Sequence, residues 1–329
     1  VDLEAKWKGA SGNDIAIEIL GTVSGITFGI TDMASGATNP SVSGALAQIG
    51  DVWETLVLNG LDIADTTALG LYATFGEGRW GTLVNKPLVV FTGNTIASRA
   101  SATAVSAART TDYTNAQLVA PGSPTLPCMV AARQLVRIAR TANDNPPTDY
   151  GALRADGIVP GLDSEQWNYT DRDTAVKAGS STVEVRDGEV TIGDVVTFYA
   201  PSGDPLPKYR YVVDIVKLQN TIYNIALIFS AAEWAGAPMI PDAQPTTNRN
   251  ARKPRQAVAA ARAMVDSLAL AAIMSDPDAA KAATTCTIDG SNPKRFNLRI
   301  GNYSLSGNTN VKNITLEWGF YFGTPGLAA

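Results

Sequence analysis

Between Val52 and Arg140 the chain alternates strand-like and helix-like segments, and this alternation limits the possible folds more than any other feature. Val52–Leu58 is an apolar run of strand length, and Pro87–Thr92 and Ala116–Ala120 repeat it. Helix-like stretches Ala64–Phe75 and Thr95–Ala108 lie between them. Leu126–Arg140 closes the series, with Pro127 tolerated in a first turn. Strands separated by helices are not joined by hairpins. They pair in parallel, with the helices covering the sheet. The expected centre of the molecule is therefore an α/β core domain over residues 51–237.

The flanks read differently. Residues 1–50 read as a β-rich segment: Ile15, Ile17 and Ile19 alternate with Ala16 and Glu18, Gly21–Gly25 supplies a turn, and Ile26, Phe28 and Ile30 resume the alternation. A loop at Gly36–Pro40 and a short helix at Ser43–Ile49 follow. Beyond the core alternation, Asn143-Asp144-Asn145-Pro146-Pro147 opens an irregular connection to residue 170. A helix at Asp171–Ala178 then leads to a hairpin, Thr182–Arg186 and Glu189–Tyr199, turned by Asp187-Gly188. Lys208–Trp234 is a long helix whose Val212, Ile215, Val216, Ile222 and Phe229 fall on one face. After a linker at Pro238–Asn250, residues 238–329 read as an α+β domain, with a helix at Pro254–Met274 and strands at Arg295–Tyr303 and Val311–Phe322.

Composition narrows the chemistry. The 329 residues include no histidine, the side chain that titrates nearest neutrality and the usual base for serine, cysteine and water nucleophiles. A Ser-His-Asp triad, a Cys-His dyad and a His-ligated metal site cannot be built, and G-x-S-x-G is missing. Carboxylate or lysine chemistry stays open. Charged residues make up 17%, below the usual quarter, which suits a surface covered by neighbours or one rich in Ser, Thr, Asn and Gln. The net charge of -5 gives no reason to expect nucleic acid as a partner. Cys128 and Cys286 are isolated thiols without metal-ligand spacing, and no cofactor is expected. No signal peptide opens the chain. The apolar stretch Tyr211–Ala232 is interrupted by Asp214, Lys217, Gln219, Asn220 and Asn224, so no membrane insertion is expected. Val1-Asp2-Leu3 lacks an initiator Met and runs straight into an apparent domain interior, as a fragment would.

Three features invite a functional reading. Gly76-Glu77-Gly78-Arg79-Trp80-Gly81 has the spacing G-x-G-x-x-G, but a helix precedes it and a strand follows, the reverse of a dinucleotide fingerprint; a helix cap and turn fits better. Arg249, Arg252, Lys253, Arg255 and Arg262 gather at the entry of the last long helix, either as a solvated face or as one that meets an acidic partner surface or an anionic ligand. In Val311–Phe322, Ile314, Leu316, Trp318, Phe320 and Phe322 alternate with Thr315, Glu317, Gly319 and Tyr321. Such a strand is either paired in a core or an edge shared between subunits. Asp62, Asp65, Asp171 and Asp173 resemble caps and surface pairs, with no metal-holding spacing. A carboxylate-dependent hydrolase would need a conspicuous pair of acids, and a soluble ligand-binding α/β protein a Gly-rich loop after a strand. Neither stands out, whereas a self-assembling structural protein needs neither.

Several segments carry a resemblance to one family. Gly9 to Ile15, with Gly12-Asn13-Asp14-Ile15, resembles the G-x-x-G-N-D-I entry of Mu-like phage tail sheath proteins. Arg79-Trp80-Gly81 and Gly122-Ser123-Pro124 are similar to the family's RWG and GSP segments. The most specific stretch runs from Gly157 to Tyr199, including Gly161-Leu162, Gly179-Ser180-Ser181-Thr182, Asp187-Gly188 and Val190-Thr191-Ile192. The resemblance implies a subtilisin-like core serving as architecture, in a contractile sheath of stacked hexameric rings around a tail tube. It implies partners in the tube, the baseplate and the tail terminator, in a virion tail assembled in the host cytoplasm. It also implies terminal arms that lend strands to neighbours.

Overall fold

The alternation at residues 52–140 forms a parallel three-stranded sheet in a computed structural model that describes residues 2–6, 9–204 and 208–308. Strands β1 (Leu56–Asn59), β2 (Val89–Asn94) and β3 (Asn115–Val119) lie in that order, with Leu56 beside Val89 and Val90 beside Asn115. The central β2 is buried at every residue, so its alternation divides two cores rather than core from solvent. On one face Val90 joins Ala68 and Tyr72 of α2 (Thr66–Arg79) and Leu46 of α1 (Ser43–Ile49). On the other, Val89 and Phe91 join Val130, Ala131 and Ile138 of α5 (Pro127–Asp144).

Two helices depart from the sequence expectation for identifiable reasons. Helix α2 starts at Asp65, whose carboxylate accepts from Ala68 N, and runs past Phe75 to Arg79. Gly76 and Gly78 are therefore interior helix residues, and the turn follows them. A Cβ added at Gly76 would lie 2.3 Å from Thr114 Oγ1, so this glycine lets the helix approach β3 closely. The expected helix Thr95–Ala108 divides at Thr103 into α3 (Arg99–Ala102) and α4 (Ala104–Ala107). The Ala102 carbonyl, which would continue the helical ladder, instead accepts the side-chain amides of Asn94 (3.0 Å) and Gln117 (3.1 Å).

After α5 the chain wanders to α6 (Tyr169–Lys177), capped by Asn168, and to the antiparallel pair β4 (Val183–Arg186) and β5 (Glu189–Ile192). Asp187 (φ 52) and Gly188 (φ 76) both turn with positive φ, as a primed two-residue hairpin requires. Within this region Tyr150 is fully buried and its hydroxyl has no hydrogen-bond partner among the described residues. Burial, with smaller effects from Asp149 and Asp214, pushes its pKa well above the usual phenol range. Tyr150→Phe keeps the ring and removes the unpaired hydroxyl, so it is expected to leave the melting temperature unchanged or raise it. A drop of several degrees in a thermal melt would reveal a partner for the hydroxyl.

Helix α7 (Val212–Ser230) joins two cores. Val212, Val213, Ile215 and Val216 complete the α/β core, whereas Ile225 and Ile228 pack against Met264, Val265 and Leu268 of α8 (Pro254–Leu270). By length and composition alone α7 could cross a bilayer, but its Lys217, Gln219 and Thr221 are buried and hydrogen-bonded within the protein. Beyond α8 come β6 (Met274–Ser275), α9 (Pro277–Ala282), the antiparallel pair β7 (Thr284–Ile288) and β8 (Phe296–Ile300), and β9 (Ser304–Leu305), which pairs with β6. The sequence reading missed α9 and β7, although Asp276-Pro277 is a cap followed by proline at the first helical position, and Asp276 accepts from Ala279 N.

The β-rich reading of residues 1–50 is corrected. Among the described residues before Leu56 there is no strand; Ala10–Asp14 is a 3-10 turn, and Ile15, Ile19, Ile26, Phe28 and Ile30 stand exposed. Their alternation marks one side of an extended chain as apolar, but a strand also needs a partner for its backbone and a cover for that side. The described residues provide neither. The segment is tethered instead by side chains: the Gly36 amide donates to Asn13 Oδ1 (2.8 Å), the Ala10 amide donates to Asn39 Oδ1 (2.9 Å), and Asn39 Nδ2 donates to Asp65 (2.8 Å).

Candidate functional site

Parallel α/β sheets ordinarily place ligands beyond the carboxyl ends of their strands. Here that edge is occupied by buried amides. Asn59 Nδ2 donates to Thr92 Oγ1 (3.0 Å), and Asn94 Nδ2 donates to Gln117 Oε1 (3.0 Å) as well as to Ala102. The remaining side-chain oxygens of Asn59 and Asn94 accept from Leu61 N and Ile96 N. These groups do not titrate near neutrality, and they satisfy one another, so the cluster cross-links three strands and a helix. At the opposite, amino end of β3, Asp112 accepts from the backbone of Thr114 and Asn115, the Asn115 amide and Arg109. Among the described residues no group of three or more metal-ligating side chains comes together. The Gly76–Gly81 motif opens no helix: its first two glycines lie within α2, and β2 follows.

An extended concave surface lies between the α/β core and the C-terminal strands. It is an apolar groove of about 1710 Å3, walled by Trp53 and Tyr211 on the core side, Ile222 and Phe229 of α7, and Phe296 and Leu298 of β8. At its rim Trp234 meets Phe229 edge-on at 5.0 Å and Phe296 at 6.3 Å, while the Arg252 guanidinium covers its ring at 5.7 Å. The loop before β8 is held by Asp289, which accepts from Ser291, Asn292, Arg295 and Asn297. The Ser291, Arg295 and Asn297 bonds hold its carboxyl far below the usual carboxylate range.

Below the groove, Lys217 is completely buried. Its ammonium donates to Asp214 (3.1 Å), to the Ser306 carbonyl (2.6 Å) and to Asn308 Oδ1 (2.9 Å). Asn308 Nδ2 in turn donates to the Pro147 carbonyl (2.7 Å). One side chain of α7 thus fixes the point where the chain leaves β9. The available signal was a lysine between Val216 and Leu218 in an otherwise apolar helix, where only a paired charge is tolerated.

The basic residues at the α8 entry do not form one patch. Lys253 is buried and donates to the carbonyls of Asp242 (3.3 Å) and Gln244 (2.5 Å), and Arg252 pairs with Glu233 (3.5 Å). Arg249, Arg255 and Arg262 are exposed, with Arg262 Nε donating to the Lys281 carbonyl (2.9 Å). Ile314, Leu316, Trp318, Phe320 and Phe322 lie outside the described residues.

No protein-family model matches the chain. Over 235 residues, 68% of its length, it is 27% identical to the Mu-like prophage FluMu tail sheath protein of Haemophilus influenzae. Over this stretch the chain is similar to a Mu-like tail sheath protein. That match covers 47% of the curated relative, so the chain spans about half of its length. Solved structures give the same fold. The sheath tail protein of Desulfitobacterium hafniense superposes with a TM-score of 0.51 over 86% of this chain and 72% of its own, at 12% identity. The Listeria innocua sheath tail protein gives 0.51 over 79% and 57%, at 11% identity. A chain of the anti-feeding prophage baseplate gives 0.52 over 86% and 75%, also at 11% identity. The mixed α/β architecture of the chain is thus similar to that of the two solved sheath tail proteins.

Proposed function

We propose that the protein is a structural subunit of a contractile tail sheath, polymerising as stacked hexameric rings around a tail tube and contracting to drive the tube through a host envelope. The observation that carries the reading is the sequence relationship over 235 residues to a tail sheath protein. The chemistry is compatible with it: the strand ends that would host a site in an α/β enzyme hold mutually satisfied amides. Contraction then draws on interface rearrangement, with the contracted arrangement lower in free energy, and needs no nucleotide. In this reading the core over residues 51–237 is subtilisin-like in architecture alone, and residues 238–329 form the assembly domain. Outward-facing Arg249, Arg255 and Arg262 contact the tube or a neighbour, and Ile314, Leu316, Trp318, Phe320 and Phe322 form a shared edge between subunits. The baseplate and tail terminator cap the polymer, which assembles in the host cytoplasm and ends in the virion tail.

Electron microscopy of the concentrated protein, alone and co-expressed with a tail tube protein, is the test. Rings or tubes of sixfold symmetry are the expected result. Strictly monomeric particles under both conditions would overturn the proposal.

A further inference from the structure

Lys217 has the surroundings of a nucleophile as well as those of a clamp. Its side chain has no exposure, and two of the oxygens it reaches belong to groups with chemistry of their own: the Asp214 carboxylate at 3.1 Å and the Asn308 carboxamide at 2.9 Å. A carbonyl bond is about 1.2 Å long, so Asn308 Cγ lies about 3–4 Å from the lysine nitrogen. Atoms held about 3–3.5 Å apart are near the separation from which bonds form. The remaining contacts restrain both partners. The Ser306 carbonyl holds Lys217 Nζ at 2.6 Å, and the Pro147 carbonyl holds Asn308 Nδ2 at 2.7 Å, so the carboxamide is fixed at its oxygen and at its nitrogen. Keeping the ammonium out of water carries a desolvation cost, which narrows the gap between the ion pair and an amine beside a carboxylic acid.

We propose that Lys217 and Asn308 slowly close an isopeptide bond within the chain, with Asp214 as the proton acceptor. Asp214 takes a proton from Nζ along the existing hydrogen bond. The free amine attacks Asn308 Cγ, an N–C bond forms and the carbonyl electron pair moves to Oδ1. A second proton then passes from Nζ to Nδ2, the electron pair returns from Oδ1, and the Cγ–Nδ2 bond breaks. Ammonia departs and takes the proton held by Asp214, so atoms and charge balance without oxidant or reductant. As Nδ2 gains positive charge, its hydrogen bond to the Pro147 carbonyl becomes charge-assisted and strengthens. Asn308 is exposed, which gives the ammonia a way out. The hydrogen-bonded arrangement is that of the freshly folded protein. The bond turns the same clamp into a covalent link between residues 91 apart in sequence. Its chemistry does not depend on whether the subunit forms a sheath.

Intact and peptide mass spectrometry of the full chain test it. Freshly purified protein is incubated folded at mildly alkaline pH, with a urea-unfolded sample beside it. The folded sample is expected to lose one ammonia per chain and, after proteolysis, to yield a branched peptide joining Lys217 to Asn308. The unfolded sample is expected to yield none. Lys217→Arg keeps the cation but supplies no attacking amine, and it is expected to abolish the branched peptide. Asp214→Asn keeps the shape of the side chain and is expected to slow the peptide's appearance about a hundredfold, the scale on which a placed proton acceptor acts. Circular-dichroism melts are expected to show both variants folded, and the time course of the parent chain decides the bond even where a variant does not fold. No branched peptide from the folded chain, an equal yield from the unfolded one, or a rate indifferent to Asp214 in a folded variant would each overturn the proposal. Ammonia loss without a branched peptide would overturn it too, since it marks a succinimide closed on the backbone instead.

Discussion

Replacing Gly93 by alanine is expected to be the most damaging single-methyl change in the α/β core. Gly93 lies in the central strand β2, opposite Leu118 of β3, and on the face that carries Val89 and Phe91 toward α5. A Cβ there would lie 1.7 Å from the Pro127 carbonyl oxygen and 2.3 Å from its carbonyl carbon. These are backbone atoms at the first turn of a helix, so no side chain can rotate aside. Either α5 lifts from the sheet or β2 buckles, and both disturb packing around Val130 and Ile138. Overpacking of a closed core costs about 1–3 kcal/mol, and collision with backbone belongs at or above the top of that range. At roughly 2–4 °C per kcal/mol for a domain of this size, the melting temperature should fall by about 6 °C or more. Gly78→Ala is the internal control: it lies in α2 with nothing within 4 Å of an added Cβ, and alanine is the better helix former by about 0.5–1 kcal/mol. A stable Gly93→Ala protein would show that β2 and α5 lie farther apart than described.

Gly93 also marks how far the sequence could be read. The strand–helix alternation gave the parallel sheet and its order of elements because each segment was buried on its own account and its apolar content survived in the pattern. The Asp187-Gly188 hairpin was legible for a similar reason, since a primed turn needs particular backbone angles that few residue pairs supply. What escaped were features that depend on partners distant in sequence. The break at Thr103 follows from amides on β2 and β3 competing for the Ala102 carbonyl, which the small-residue run Ala100–Ala108 does not announce. Residues 15–30 show the converse. Their alternation is a real strand signal, yet periodicity specifies only which side would be covered, and nothing described covers it. The basic residues do not share one face because sequence proximity at a helix entry sends side chains around the axis, and Arg252 and Lys253 turn inward. The groove was illegible because it joins Trp53, α7 and β8, which are remote in the chain.

Lys217 is the residue where these long-range effects converge, and Lys217→Met is the second substitution expected to act strongly. Methionine keeps an unbranched apolar stem in a site with no exposure, so packing is largely preserved while three hydrogen bonds vanish. Asp214 is about one-third exposed and recovers water, which limits the loss below that of a fully buried ion pair. The Ser306 carbonyl and the Asn308 side chain are left without their cationic donor, and hydrogen bonds to charged groups contribute about 1.5–3 kcal/mol each. A net destabilisation of about 2–3 kcal/mol is expected, and its location is the more telling quantity. Amide exchange should accelerate in β6 and β9, which the anchor holds together, while β1, β2 and β3 stay protected. Because Asn308 is joined to α7 through Lys217, Asn308→Ala in the Lys217→Met background should cost less than in the parent: the bond to Pro147 is lost in both, but the bond to Lys217 only in the parent. Additive effects would mean that the chain's departure point is fixed by something other than this lysine. Non-additive effects with β9 loosened would identify one buried charge on a core helix as the clamp that holds Ser306 and Asn308.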